Sequence, residues 1–181
     1  RLRIISAMRP DNYATFTTPA DVAEFREELS KAEGPVEFLG TVPNSRVLEL
    51  LRESHVALLP TYADTYGYFV LEAQSNGCPV VSTNVRALPE INPDSCGWTI
   101  KIPLNERCDA QLESKEEREA VSQTIESGLE SCLHECLNDP LIIERKGRAA
   151  IERIAREHRP EDRVEVLEKF YDRGVRMLRG G

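Results

Sequence analysis

The sequence predicts an α/β protein built on a doubly wound parallel sheet. Three observations lead there: short apolar strands alternate with helical segments, the run "HVALLP" is apolar and closed by a proline, and the β-branched run "PVVST" follows a helix directly. Strand–helix alternation implies parallel strands joined by helical crossovers, and a strand apolar on both faces is one covered on both faces. At 181 residues, with 40% hydrophobic and 30% charged side chains, the chain suits one domain with a substantial core.

The elements follow in order. "RLRIIS" reads as a short buried strand from the first residues. A strand needs neighbours, so a chain opening on one reads as a piece of a longer protein. Residues 8–18 are turn-rich and long for a connection, and are expected to be surface structure. A helix then starts at Thr18-Pro19, with Thr18 as cap and Pro19 at its first position. Its stripe is Val22, Phe25 and Leu29, and it stops near Gly34-Pro35. "VEFLG" is a strand, and "PNSRVLELLRES" a capped helix with Val47, Leu48 and Leu51 turned inward. After "HVALLP" come a helix over residues 69–75, the strand "PVVST", a short turn at "LPEI" and the strand "GWTIKI". From Glu106 the composition turns charged with helical periodicity, predicting a helical tail over about 106–181 with a break at Arg159-Pro160. Within it, residues 106–122 look like an insertion with the character of surface structure.

Composition narrows the function. A net charge of -8 leaves no excess of Lys and Arg to neutralise a phosphate backbone, so nucleic acid is not the expected partner. No apolar run reaches the ~20 residues of a membrane span, and no signal peptide opens the chain. Five cysteines, an odd number, then fit reduced thiols in a cytoplasmic protein. Cys132 and Cys136 flank His134 but lack the second ligand pair of a tetrahedral zinc site, so they read as helix cysteines.

The informative stretch is "DTYGYFVLEAQSNGCPVVST". It follows an apolar strand, and in an open parallel sheet ligands bind beyond the carboxyl ends of the strands. The helix that begins there offers unpaired N–H groups and the positive end of its dipole, which attract phosphate. Gly67 lets backbone approach a ligand closely. Asp64 stands before the turn, able to face a sugar or to cap the helix. Glu72 lies within the helix, as an ordinary exposed acid or as a partner for the vicinal hydroxyls of a ribose. Each residue taken alone has a bland explanation; their arrangement does not.

The segment "VEFLGTVPNSRVLELLRESHVALLPTYADTYGYFVLEAQSNGCPVVSTNVRALPEI" resembles the C-terminal half of the retaining GT-B glycosyltransferases of the group 1 class, glycosyltransferase family four. The carrying motif is an acid, seven residues and Glu, written here as Asp64, Tyr66-Gly67 and Leu71-Glu72-Ala73, followed by Gly77-Cys78-Pro79-Val80-Val81. The closing helices resemble the family's tail, so the likeness runs over residues 36–171. It implies a Rossmann-like domain that binds a nucleotide-sugar donor, with UDP-, GDP- or ADP-sugars as the class. It further implies that Asp64 lies near the transferred sugar, as the catalytic acid. Tyr66, Gly67 and Tyr68 would offer N–H groups to sugar hydroxyls and the distal phosphate, and Glu72 would hold the ribose. Gly40, Thr41 and Val42 would border the base. No metal or other cofactor is implied, since positive groups and the helix dipole stabilise the leaving phosphate in such enzymes.

The chain departs from the pattern in three places. Asp64 replaces a Glu, the usual Gly-Gly of the next loop is replaced within "NVRALPEI", and the Arg and Lys that neutralise the donor phosphates have no counterpart. Arg9 and Arg86 read as surface charges rather than substitutes. The resemblance also implies an N-terminal acceptor domain outside this chain, as its partner and as a route to peripheral membrane association. A fragment without it is expected to be inactive. An impaired, purely binding or scaffolding module of the same fold is the other reading, for which Asp64 is the main hint.

Overall fold

A computed structural model of the chain describes residues 1–31 and 34–179. The order is β1 (Leu2–Ile5), α1 (Pro19–Lys31), β2 (Val36–Gly40), α2 (Asn44–Arg52), β3 (Ala57–Leu59), α3 (Tyr68–Ser75), β4 (Val80–Thr83), α4 (Leu88–Ile91), β5 (Gly97–Ile100), then α5 (Lys115–Asn138), α6 (Leu141–Glu157) and α7 (Pro160–Arg179). Every strand pairing is parallel, as the alternation requires. This is the α/β, Rossmann-like architecture that the sequence predicts, with the helices following the last strand.

The strands form two ladders, β1–β2 and β3–β4–β5, rather than one unbroken sheet. Burial separates them. All of β4 is buried, and β5 nearly so, whereas β1, expected to be buried, has exposed ends. The core is Val70, Ala73, Val80, Val81, Val85, Leu88, Trp98, Ile100 and Val121, with Leu50 and Leu51 of α2 buried above it. Helix α1 buries nothing fully, and Phe25, expected to face inward, is 51% exposed.

Two junctions explain how the helices settle. Helix α5 starts at Lys115, later than composition suggests, because Ser114 and Glu117 form a reciprocal capping box at that point. Residues before it form a turn instead: Asn105 Oδ1 accepts from the N–H groups of Arg107 and Asp109, at 2.9 and 3.1 Å. Helix α6 crosses the end of α3 so closely that a Cβ on Gly147 would sit 2.4 Å from the Gly77 carbonyl oxygen. The predicted break at Arg159-Pro160 separates α6 from α7.

A buried polar network locks this seam. Asn92 donates to Val80 O, Ser82 Oγ and Trp98 O at 3.0, 2.9 and 3.2 Å, tying α4's end to β4 and β5. Gln74 donates to Ile91 O at 2.8 Å, and its own Oε1 accepts from Arg153 of α6 at 3.2 Å. Arg153 also reaches Glu90 O and pairs with Glu157, so its buried charge is met on three sides.

Candidate functional site

The carboxyl ends of the strands carry five loops, one after each of β1 to β5. The residues singled out by sequence lie on those after β2 and β3 and on the helix that follows β3. Gly40 ends β2 with φ +64° and accepts a hydrogen bond from Ser6 N at 3.1 Å; Thr41 beyond it is exposed and Val42 half-buried. Asn44, at the start of α2, donates to Glu72 Oε1 of α3 at 2.8 Å. That bond brings the Gly40–Val42 loop beside the acid on α3. Among the described residues no protein donor reaches the second carboxylate oxygen of Glu72.

Asp64 turns back on the chain. Its Oδ1 accepts from Tyr66 N at 3.0 Å and from Gly67 N in a short hydrogen bond, shaping the turn that opens α3. Two of the three backbone donors expected to meet a ligand are therefore engaged by Asp64. The Tyr68 and Phe69 N–H groups, in the first turn of α3, have no protein acceptor among the described residues. These are the donors the helix presents to an incoming anion. The rings of Tyr66 and Tyr68 flank this end, with centroids 5.3 Å apart.

Gly67 has a packing reason as well as an approach reason. It is left-handed, with φ +78°, and a Cβ there would come within 2.5 Å of Leu88 and 2.7 Å of Ile91. The glycine thus lets α4 pack under the start of α3. The loop is tied down elsewhere too: Thr83 Oγ1 donates to Thr61 O at 2.6 Å and Ala110 N to Tyr62 O at 2.9 Å.

Sequence reasoning did not foresee the role of Arg86. It lies in the loop after β4 and keeps a left-handed backbone, φ +43°. Its guanidinium makes two parallel hydrogen bonds to the buried Asp109 carboxylate, at 2.6 and 2.7 Å. That contact, with smaller contributions from Tyr13 and Asp64, holds the guanidinium above its ordinary value. The separation of 23 positions between the partners hides the pair from any local pattern. Arg86 is a cation on the site's rim, already neutralised by Asp109.

No group of three His, Cys, Asp or Glu that could hold a metal ion exists among the described residues. Cys132 and Cys136 lie on α5; burial pushes the Cys132 thiol up to about 11 and raises Cys136 as well. Both behave as packing residues. Among the described residues no helix is long and apolar enough to cross a membrane.

A parallel α/β domain of this kind is Rossmann-like, and in open parallel sheets ligands bind beyond the carboxyl ends of the strands. The family profile described as "Glycosyl transferases group 1" matches residues 6–110, more than half of the chain, and the chain belongs to that family. It is 41% identical over 71 residues to a phosphatidylinositol N-acetylglucosaminyltransferase subunit of Arabidopsis thaliana, covering 39% of this chain and 16% of that one. To the O-antigen chain mannosyltransferase B of Escherichia coli it is 35% identical over 68 residues, 38% of this chain and 18% of the other. The matched stretch thus spans less than a fifth of the length of these relatives. Among solved structures, sucrose-phosphate synthase from Thermosynechococcus elongatus superimposes with a TM-score of 0.66 at 16% identity, over 97% of this chain and 39% of its own. TarM does so with 0.55 at 14% identity, over 94% and 34%. At those identities the two structures speak for the fold.

Proposed function

We propose that the chain is the donor-binding half of a retaining glycosyltransferase that moves a hexosyl group from a nucleotide sugar to an acceptor. The observation that carries this reading is the bond from Asn44 to Glu72, beside the unpaired N–H groups of Tyr68 and Phe69. It sets a carboxylate for a ribose diol next to a phosphate-accepting helix end, with the Gly40–Val42 loop alongside for the base. Tyr68 and Phe69 N–H groups meet the distal phosphate directly. Tyr66 and Gly67 N–H groups become available to sugar hydroxyls once Asp64 turns toward the sugar. No metal is needed in this scheme, because the helix dipole and backbone donors take the phosphate charge.

Catalysis needs a second domain to close the cleft and bind the acceptor, so this chain alone binds donor weakly and transfers nothing. The partner is an acceptor domain of the same protein, acting in the cytoplasm, and any attachment to a membrane surface comes through it. A second reading is favoured by one observation: both Asp64 bonds run to its own backbone, as in a structural turn. On that reading the module binds nucleotide sugars, or serves as a scaffold, without turnover. A transfer assay on the full-length protein decides between them. The enzyme reading expects at least a hundredfold loss of rate in Asp64→Ala, of the order found for a lost transition-state contact (~10²). It also expects a raised KM for donor in Glu72→Ala. Equal rates in the wild type and both variants would remove these residues from the site; no transfer by the wild type would favour the impaired module.

A further inference from the structure

Helix α3 ends on a dipeptide whose chemistry the candidate site does not use. Of the chain's asparagines, Asn76 alone precedes a glycine, Gly77. An asparagine so placed can modify itself. The Gly77 main-chain nitrogen bonds to Asn76 Cγ and gives its proton to solvent; the Cγ–Nδ2 bond breaks and ammonia leaves. Water then opens the cyclic imide at either carbonyl. One product is aspartate; the other is isoaspartate, whose main chain runs through the former side chain. Glycine favours the first step because no Cβ shields its nitrogen, and water is the only co-reactant.

The fold holds both reacting groups. Gly77 N donates to Gln74 O and Cys78 N to Ala73 O, each at 3.0 Å, around a left-handed Gly77 with φ +72°. These are the paired bonds of a Schellman helix ending. Asn76 Nδ2 donates to Glu72 O at 2.8 Å and to Ser75 Oγ at 3.3 Å. Ring closure must therefore break the Gly77 bond and turn the Asn76 amide off the end of α3. Helix α6 closes the other side. A Cβ on Gly77 would meet Ile151 Cδ1 at 3.0 Å, and Gly147 lies against the Gly77 carbonyl.

Neither product fits what the asparagine built. A carboxylate at position 76 donates nothing to Glu72 O, and it sets negative charge at the negative end of the α3 dipole. Isoaspartate adds a methylene to the main chain where α3 and α6 touch, and the contacts around Gly77 leave no room for it. We propose that Asn76-Gly77 is a self-modification site kept shut by the α3–α6 seam. Local opening of the seam releases the reaction, and the acid that forms hinders reclosing. The chain thus records its own opening irreversibly. This holds whether or not the chain binds a nucleotide sugar.

The test compares the folded chain with a synthetic peptide spanning residues 72–80, both at mildly alkaline pH. Proteolysis and mass spectrometry follow the amide-to-acid conversion at Asn76, and backbone fragmentation tells isoaspartate from aspartate. The peptide is expected to convert, and the folded chain to do so at least about tenfold more slowly, because reaction waits on an opening that costs free energy. Urea below the unfolding midpoint should raise the folded rate toward that of the peptide. Ile151→Ala, which loosens the α6 side of the seam, should do the same without denaturant. Asn76→Asp, which carries one product from the start, should speed amide exchange over residues 147–151 relative to β4. Equal rates in chain and peptide would overturn the proposal, as would a folded rate indifferent to both urea and Ile151→Ala. Unchanged exchange in Asn76→Asp would overturn it too, since the acid would then leave the seam as it was.

Discussion

Gly67 couples the site to the core. Its left-handed backbone and the absent Cβ let Leu88 and Ile91 lie directly beneath the turn that Asp64 shapes. Gly67→Ala combines a strained conformation with overpacking and should cost about 2–4 kcal/mol, read as a lower denaturant midpoint at unchanged slope. A second residue-scale prediction concerns Asp11. Backbone N–H bonds, the one from Thr15 foremost and then that from Ala14, hold its carboxyl below the ordinary value of 3.8. A depressed folded value means that the bonds stabilise the 8–18 segment fully above that ordinary value, and that this support is lost as pH falls through the folded one. The Tyr13 and Ala14 amide signals should therefore change on acidification below pH 3.8, and in Asp11→Asn that titration should be absent. The positions of Asp64 before α3 and Glu72 within it were legible because residue type, spacing and place after an apolar strand coincide. Arg86 was not: its partner Asp109 lies in a turn whose shape no local pattern announces.

At the scale of elements, parallel strands, helix order and the break before α7 all followed from alternation and turn chemistry. What escaped was depth. "RLRIIS" and "VEFLG" look as apolar as "PVVST", yet only β4 is covered on both faces, because α3 to α6 pack around β3–β5. Periodicity reports which face is apolar and is silent on whether a neighbour arrives to cover it. The Gln74–Asn92–Arg153 network was equally invisible, since its members come from three helices, with Gln74 and Arg153 79 positions apart. Arg153→Met keeps volume but strips Gln74 Oε1 and the Glu90 carbonyl of their buried donor. The expected cost is about 2–3 kcal/mol, measured by chemical denaturation, with α6 amides exchanging faster than those of β4.

At the scale of the molecule, the chain belongs to the glycosyl transferases group 1 family and matches a small share of its relatives' length. The loops after β2 and β3 carry the proposed nucleotide contacts, so base and phosphate would be read along one edge. Calorimetric titration of the chain with UDP-, GDP- and ADP-sugars tests the central claim most directly, with Glu72→Gln beside the wild type. The account predicts weak, saturable binding of at least one of the three, weakened about tenfold or more in Glu72→Gln as a ribose diol loses its charged acceptor. Binding of equal strength in wild type and Glu72→Gln, or saturable binding of none of the three, would contradict it.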